Sequence, residues 1–570
     1  MRLYALALRQ KLLLAALAAL FLGLASTSAR AQGDPTAQVG RLSFIVGTVS
    51  VQPAGIDSWG QAYPNLPLGP GDRIFTDSDG FAEIQVGLNF VHIGHNADVT
   101  FIDATPEAIS FGLAQGSVRV YTVNLWEGQA LNVSTPNGTA SIFLGGQFRV
   151  DVLPSEGATL FTKYYGNISV TGAGGFNQEL ANEQALELIG TNPVATQWLQ
   201  PAPNDELGMW ADQRNPIDNP QVVSRYVSRE IPGAVELEVN GEWMPASDYG
   251  PVWFPRVAPG WAPYHFGHWV NHAPWGWIWV EDESWGYAPF HYGRWVAIGG
   301  RWGWIPGPPA AHPIWAPALV VFAGGIHFGG AGVSVWFPLG PGEPYRPWYP
   351  CSPTYINQVN ITNITESRVV HVQNTYVNIT NVTNVTYVNR TIGVTAMSHD
   401  DFAAGRSASQ GAVKIDVTQL NHVTVLDRPE PKPTAASFVG HAPARPVPVK
   451  TERPSLINAK GKLVSAKPGA VAVEPPVRPA PVVKPLPGHT VAAPPAGAKA
   501  QPGAKAPAEP TKPEARPAEK PETKEATKPE VKPEDKTTPP PAKSTDKTKP
   551  ADKSKKTDKD KKPEPEKKPE

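Results

Sequence analysis

The sequence predicts a mainly β chain: a β-solenoid or roll-like N-terminal domain, a short helical connector, Trp-rich β-hairpin repeats and a long disordered C-terminal tail. Three observations carry this. From Gln38 to Ile189, short runs of alternating apolar and polar residues are separated by Gly, Pro and Asn turn signals, and helical periodicity is nearly absent. Fourteen of the eighteen tryptophans fall between Trp243 and Trp348. From Pro429 onward the chain holds thirty-one of its 63 prolines and a single aromatic residue, Phe438, a composition that buries too little apolar surface to offset chain entropy.

The N-terminus reads as a secretory signal peptide, residues 1–31. Arg2, Arg9 and Lys11 precede an apolar run from Leu12 to Ala25, and Ala29-Arg30-Ala31 supplies a small-x-small cleavage pattern before Gln32. The run is short for a membrane span, which needs roughly 20 apolar residues, so an uncleaved anchor is the lesser alternative. No cysteine follows it, which argues against a lipid anchor. The uncharged stretch from Ala316 to Phe337 is broken by Pro317 and several glycines and reads as buried strands. The mature chain is therefore expected to be periplasmic or extracellular and not embedded in a membrane.

Residues 38–190 form the first expected domain. Val46-Gly47-Thr48-Val49-Ser50-Val51, Phe81-Ala82-Glu83-Ile84-Gln85-Val86, Val118-Arg119-Val120-Tyr121 and Phe148-Arg149-Val150-Asp151-Val152 alternate as strands do. Turns are signalled at Gly69-Pro70-Gly71, Asp79-Gly80 and Pro136-Asn137-Gly138. Gly47-Thr48-Val49, Leu68-Gly69-Pro70-Gly71-Asp72-Arg73-Ile74, Asp79-Gly80-Phe81-Ala82-Glu83-Ile84, Gly116-Ser117-Val118, Val133-Ser134-Thr135-Pro136 and Tyr165-Gly166-Asn167-Ile168-Ser169-Val170 resemble, in order and spacing, the FecR-type periplasmic domain family. In that family the domain often follows a cytoplasmic anti-sigma segment and a transmembrane helix. Here an export signal precedes it, so the resemblance implies a compact β module that packs against a partner protein or a glycan. His92 and His95, three residues apart on a strand, fall on opposite faces and are expected to be structural or superficial.

The connector spans residues 200–242. Asp205, Glu206 and Asp212 with Leu207, Trp210 and Ala211 at helical spacing predict a short helix that ends before Pro216 and Pro220. Repetition follows over residues 243–350. Trp261-Ala262-Pro263-Tyr264-His265-Phe266-Gly267-His268-Trp269-Val270 recurs as Tyr287-Ala288-Pro289-Phe290-His291-Tyr292-Gly293-Arg294-Trp295-Val296, and Trp275-Gly276-Trp277-Ile278 recurs as Trp302-Gly303-Trp304-Ile305. A degenerate third copy runs from Trp315 to Pro338. Gly299-Gly300 suits a two-residue hairpin loop. These units, with Tyr249-Gly250-Pro251-Val252-Trp253-Phe254-Pro255 before them and Trp336-Phe337-Pro338-Leu339-Gly340 after, resemble an uncharacterised Trp-rich repeat domain found downstream of FecR-type domains in secreted bacterial proteins.

Alternating indoles share one face of a strand, which is either packed core or a stacking platform. On the platform reading Trp269, Trp277, Trp295 and Trp304 contact a flat ligand, with Tyr264, Tyr292 and Arg294 supplying hydrogen bonds. His265, His268, His272 and His291 have no cysteine beside them, and no metal site is expected; nor is a cofactor. Glu281, Asp282 and Glu283 form an acidic turn, and a glycosidase pair of Glu281 and Glu283 is the remote enzymatic alternative. A formal net charge of −1 without a basic patch excludes a nucleic-acid partner. Cys351 is the sole cysteine, so no intramolecular disulfide forms.

Residues 351–428 are expected to be extended, with Ile379, Val382, Val385 and Val388 recurring every third position among Thr and Asn. Residues 429–570 are the tail. Together these features point to a non-enzymatic exported protein that binds or scaffolds an envelope glycan or envelope protein through its aromatic hairpins. The alternative is a soluble sensor working with a separate membrane partner.

Overall fold

The computed structural model describes residues 34–215, 223–309, 312–324, 327–328, 331–364, 387–416, 420, 424–439 and 455–465. The segment expected to be a signal peptide and the period-three positions Ile379, Val382 and Val385 lie outside them. The described chain is mainly β, with short helices.

Seventeen strands build the N-terminal module as two sheets. One strand belongs to both. The first half of Ala108–Thr122 pairs with Asp98–Ala104 and, in parallel, with Ala130–Ser134; the second half pairs with Asn89–Ile93 and Gly146–Leu153. The chain passes from one sheet to the other at Gly116, whose φ of +81° suits glycine and whose Cβ, if it had one, would lie 2.5 Å from the Cα of Ala97. Between the sheets, Leu131, Val133, Ile109, Phe111, Val120 and Val150 pack as one core. The turn residues singled out in the sequence hold this frame. The Asp72 carboxylate accepts from Gly69 N and Ala54 N, and Asp79 accepts from Thr48 N.

The Trp-rich segment is a set of hairpins with one recurring feature. In each, a pair of aromatic residues stands at opposed positions: Trp243 with Trp253, Trp269 with Trp279, Trp295 with Trp304 and Phe322 with Trp336. Gly299 and Gly300, at φ +58° and +79°, make the expected two-residue loop. Sequence alignment equates Trp277 with Trp304, but strand pairing makes Trp279 the counterpart. Trp279 stands opposite Trp269 as Trp304 stands opposite Trp295, and the first hairpin's loop, residues 273–275, is one residue longer than Gly299-Gly300. The expected buried strands in 316–337 are Val320–Gly324 and Ala331–Pro338, paired antiparallel.

Segments expected to be extended are folded into this core. In 351–428, Pro353–Ile361 is a helix capped by Ser352, Thr395–Ser398 adds to Ala331–Pro338, and Thr424–Leu426 adds to Val320–Gly324. Phe402 stacks on Trp269 with ring centroids 5.3 Å apart. These contacts join residues far apart in sequence, so no local period announced them. In the expected tail, Ser455–Ile457 and Leu463–Ser465 form a hairpin. Its Ile457 N donates to Thr135 O and its carbonyl accepts from Thr139 Oγ1. It lies on the N-terminal module. The opposite end does the reverse: Asp34 accepts from Ser352 N and Oγ, Ala37 O accepts from Trp315 N, and Val39 belongs to the tryptophan core.

Because Trp269 touches Trp279, Trp336, Phe322 and Phe402, Trp269→Ala should cost ~3–5 kcal/mol. Urea denaturation followed by circular dichroism measures it; a loss below about 1 kcal/mol would show that the ring cluster is not the stabilising core.

Candidate functional site

The aromatic array is closed. Of its fourteen tryptophans, only Trp243, Trp302 and Trp348 are other than buried. All seven residues expected to line a stacking platform are buried too: Trp269, Trp277, Trp295, Trp304, Tyr264, Tyr292 and Arg294. This corrects the platform reading, and the polar atoms show why. Trp277 Nε1 donates to Pro431 O, Trp295 Nε1 to Pro289 O and Trp304 Nε1 to Tyr292 O. Tyr264 OH donates to Phe290 O and accepts from Leu319 N. The Arg294 guanidinium is spent on Glu343 O, Gly293 O and Asn360 Oδ1. Most of these polar groups satisfy the protein's own backbone, with Asn360 Oδ1 taking part of the Arg294 guanidinium, as burial requires.

The two glutamates of the acidic turn stand in different surroundings. Glu281 is buried while Glu283 is exposed. Among the described residues Glu281 accepts one side-chain bond, from Trp279 Nε1 at 2.8 Å, and its Oε1 has no partner. Burial raises its pKa well above the ordinary carboxylate value, with Asp282 and Glu283 adding repulsion.

The four histidines of the repeats go to four different places. His265 meets Thr395 Oγ1 at 3.4 Å, His268 meets Asp282 at 3.6 Å, His291 Nδ1 meets Ala316 O at 2.8 Å, and His272 meets Asp72 at 2.6 Å. Among the described residues no group of three or more His, Cys, Asp or Glu is placed to hold a metal ion. His92 is buried against Glu83 at 3.2 Å, and His95 lies against the Phe81 ring.

What the sequence did not reveal is the seam between the two β modules. His272 is buried with both ring nitrogens on acceptors: Nε2 on the Asp72 carboxylate and Nδ1 on Ala273 O at 2.7 Å. A carbonyl cannot donate, so Nδ1 carries a proton, and Nε2 faces a carboxylate that already accepts from Gly69 N and Ala54 N, which favours the doubly protonated ring. The Asp72 charge and the two hydrogen bonds outweigh the desolvation of the cation, and the His272 pKa is raised. Arg41, 1% exposed, donates to Asn65 Oδ1, Glu236 Oε1 and Ser284 O and lies 5.4 Å from the centre of the Tyr287 ring. Asn65, at φ +66°, donates to Glu283 O. The connector helix Glu206–Arg214 is held on the N-terminal module through Arg214 to Glu83, Asp212 to Arg119 and Asp205 to Arg149. Burial pushes the Glu83 carboxyl up, but the hydrogen bonds and charges of Arg214 and His92 outweigh it and hold the carboxyl below its usual range.

One aromatic side chain stands apart. Trp198, 50% exposed, lies on Ala195–Leu199, the outermost strand of a sheet. That strand pairs with Gln184–Ile189 on one side, and among the described residues no strand pairs with its other side. No charged residue occurs from Leu188 to Asn204.

Residues 234–343 match the model of a family of unknown function, DUF6600, which covers the hairpin repeats. No curated protein matches the chain. Two crystal structures of a candidate anti-sigma factor from Parabacteroides distasonis match 22% of this chain at 16% and 15% identity, each with a TM-score of 0.20. The chain spans 59% of the length of those structures. At that level the likeness carries no functional argument. Among the described residues, no helix is long and apolar enough to cross a membrane.

His272 and Glu281 each keep a proton in the folded state that the unfolded chain releases. Their contributions are complete below the ordinary values of 6.5 and 4.5 and are lost as pH rises through the raised ones. His291, buried neutral and lowered to about 3, acts oppositely and weakens the fold only below pH 6.5. Urea midpoints should therefore fall between pH 7 and pH 9, and His272→Gln should flatten that slope. An unchanged slope in the variant would rule out a charged His272 at the seam.

Proposed function

We propose that this is a non-enzymatic, exported envelope protein whose body is a scaffold, held together by its indoles and meeting an envelope protein through the open strand Ala195–Leu199. The closure of the aromatic array carries this reading. Rings packed on one another and on backbone carbonyls hold the modules together and offer no ledge for sugar stacking. The outer strand is different in kind. Edge strands are ordinarily guarded by charge, proline or a bulge, whereas Thr196, Gln197 and Trp198 are exposed and uncharged. An extended segment of a partner can add there through main-chain hydrogen bonds, with the indole supplying apolar contact. The export signal and the FecR-type resemblance support a site of action outside the cytoplasm.

In-cell photo-crosslinking from a benzoylphenylalanine at Thr196 tests this. A discrete crosslink to an envelope protein, lost in Trp198→Lys without a change in melting temperature, is the expected outcome. A membrane protein as the partner would make the chain the soluble part of a FecR-like signalling system. Retention in the cytoplasm, or co-sedimentation with cell-wall sacculi in the absence of any crosslink, would overturn the reading.

A further inference from the structure

We infer that a cavity at the junction of Val320–Gly324 and Thr424–Leu426 is a binding site for a zwitterionic apolar α-amino acid, which goes beyond the scaffold reading. The cavity has a volume of about 100 Å³. One water needs roughly 10–15 Å³ of such free volume, so the space suits an aliphatic or phenyl side chain and is too large to be a packing flaw. Its walls are Phe322, Trp348, Tyr387 and Leu426. The rings of Phe322 and Trp348 meet edge-on at 5.5 Å, which fixes one wall. Tyr387 is set by its own edge-on contact with Phe337.

The rim carries both charges. Arg346 Nη1 lies 2.8 Å from Asp427 Oδ1, and the two side chains are 55% and 69% exposed. An exposed pair of this kind contributes ~0–1 kcal/mol, so opening it for a ligand costs little. An α-carboxylate then meets the planar guanidinium, an α-ammonium meets the Asp427 carboxylate, and the apolar side chain fills the pocket. A monoanion would satisfy Arg346 but leave its own charge beside Asp427. A neutral apolar molecule would leave the rim unused. Charge complementarity therefore selects the zwitterion.

Calorimetric titration of the full-length chain with phenylalanine and leucine tests the assignment, with N-acetylphenylalanine amide as the neutral control. The free amino acids should bind and the blocked compound should bind at least about tenfold more weakly. Arg346→Ala and Asp427→Asn should each weaken phenylalanine by about tenfold or more. Val425→Trp, at a half-exposed position on the cavity wall, should abolish binding while leaving the melting temperature unchanged. Equal binding of the blocked compound, binding that survives Val425→Trp in a folded variant, or no heat from either amino acid at millimolar concentration would each overturn it.

Discussion

The rest of this structure depends on one packing constraint: an indole is too large to be buried within a single short hairpin. Two strands of five or six residues cannot enclose the opposed rings they carry, and a lone hairpin is marginal in water. The rings of Trp269 and Trp279 must therefore be covered by other elements, and the cover comes from Tyr264, Phe322, Trp336 and Phe402. Repeating the opposed pair in each hairpin turns four weak units into one core. That core also takes in Val39 from one end of the chain and Leu420 from the other.

Burying so many indoles raises a second requirement, since each carries a donor. Backbone carbonyls meet much of it. Trp253 donates to Leu237 O, Trp336 to Tyr264 O and Trp304 to Tyr292 O. These bonds are directional and tie each ring to one loop or neighbouring strand, so they set the relative placement of hairpins that apolar contact alone would leave loosely defined. Among the described residues Trp261, Trp269 and Trp275 have no such partner on Nε1; their rings are held by edge and face contacts. At the seam the same logic applies with charge. Arg41 and His272 are buried cations, and each is surrounded by acceptors from both modules. Removing an acceptor would leave a charge without compensation, which makes the seam specific as well as tight.

The strands of the N-terminal module were legible because alternation at Val49 to Val51, Phe81 to Val86 and Phe148 to Val152 reports a local period, and the connector helix because Leu207 and Ala211 share a face. The hairpin at Gly299-Gly300 was legible from loop chemistry. The candidate site was not. Trp-Gly-Trp spacing is identical whether the rings face solvent or one another, so Trp269, Trp277, Trp295 and Trp304 could be placed on a face but not in or out of the core. Asp72, Arg41 and Asn65 lie in the first module with their partners some two hundred positions away, and no spacing in a single sequence encodes that distance.

By itself the sequence determined the β character, the hairpin repeat and the short connector helix, because each depends on neighbours within a few residues. Tertiary structure alone decided that the indoles are enclosed, that Glu281 is buried beside Trp279 and His272 between Asp72 and the Ala273 carbonyl, that the segments after Cys351 are drawn into the core, and that Trp198 is left at an open edge. Burial is a property of what arrives from elsewhere in the chain, and a ring's local sequence is the same before and after its cover arrives.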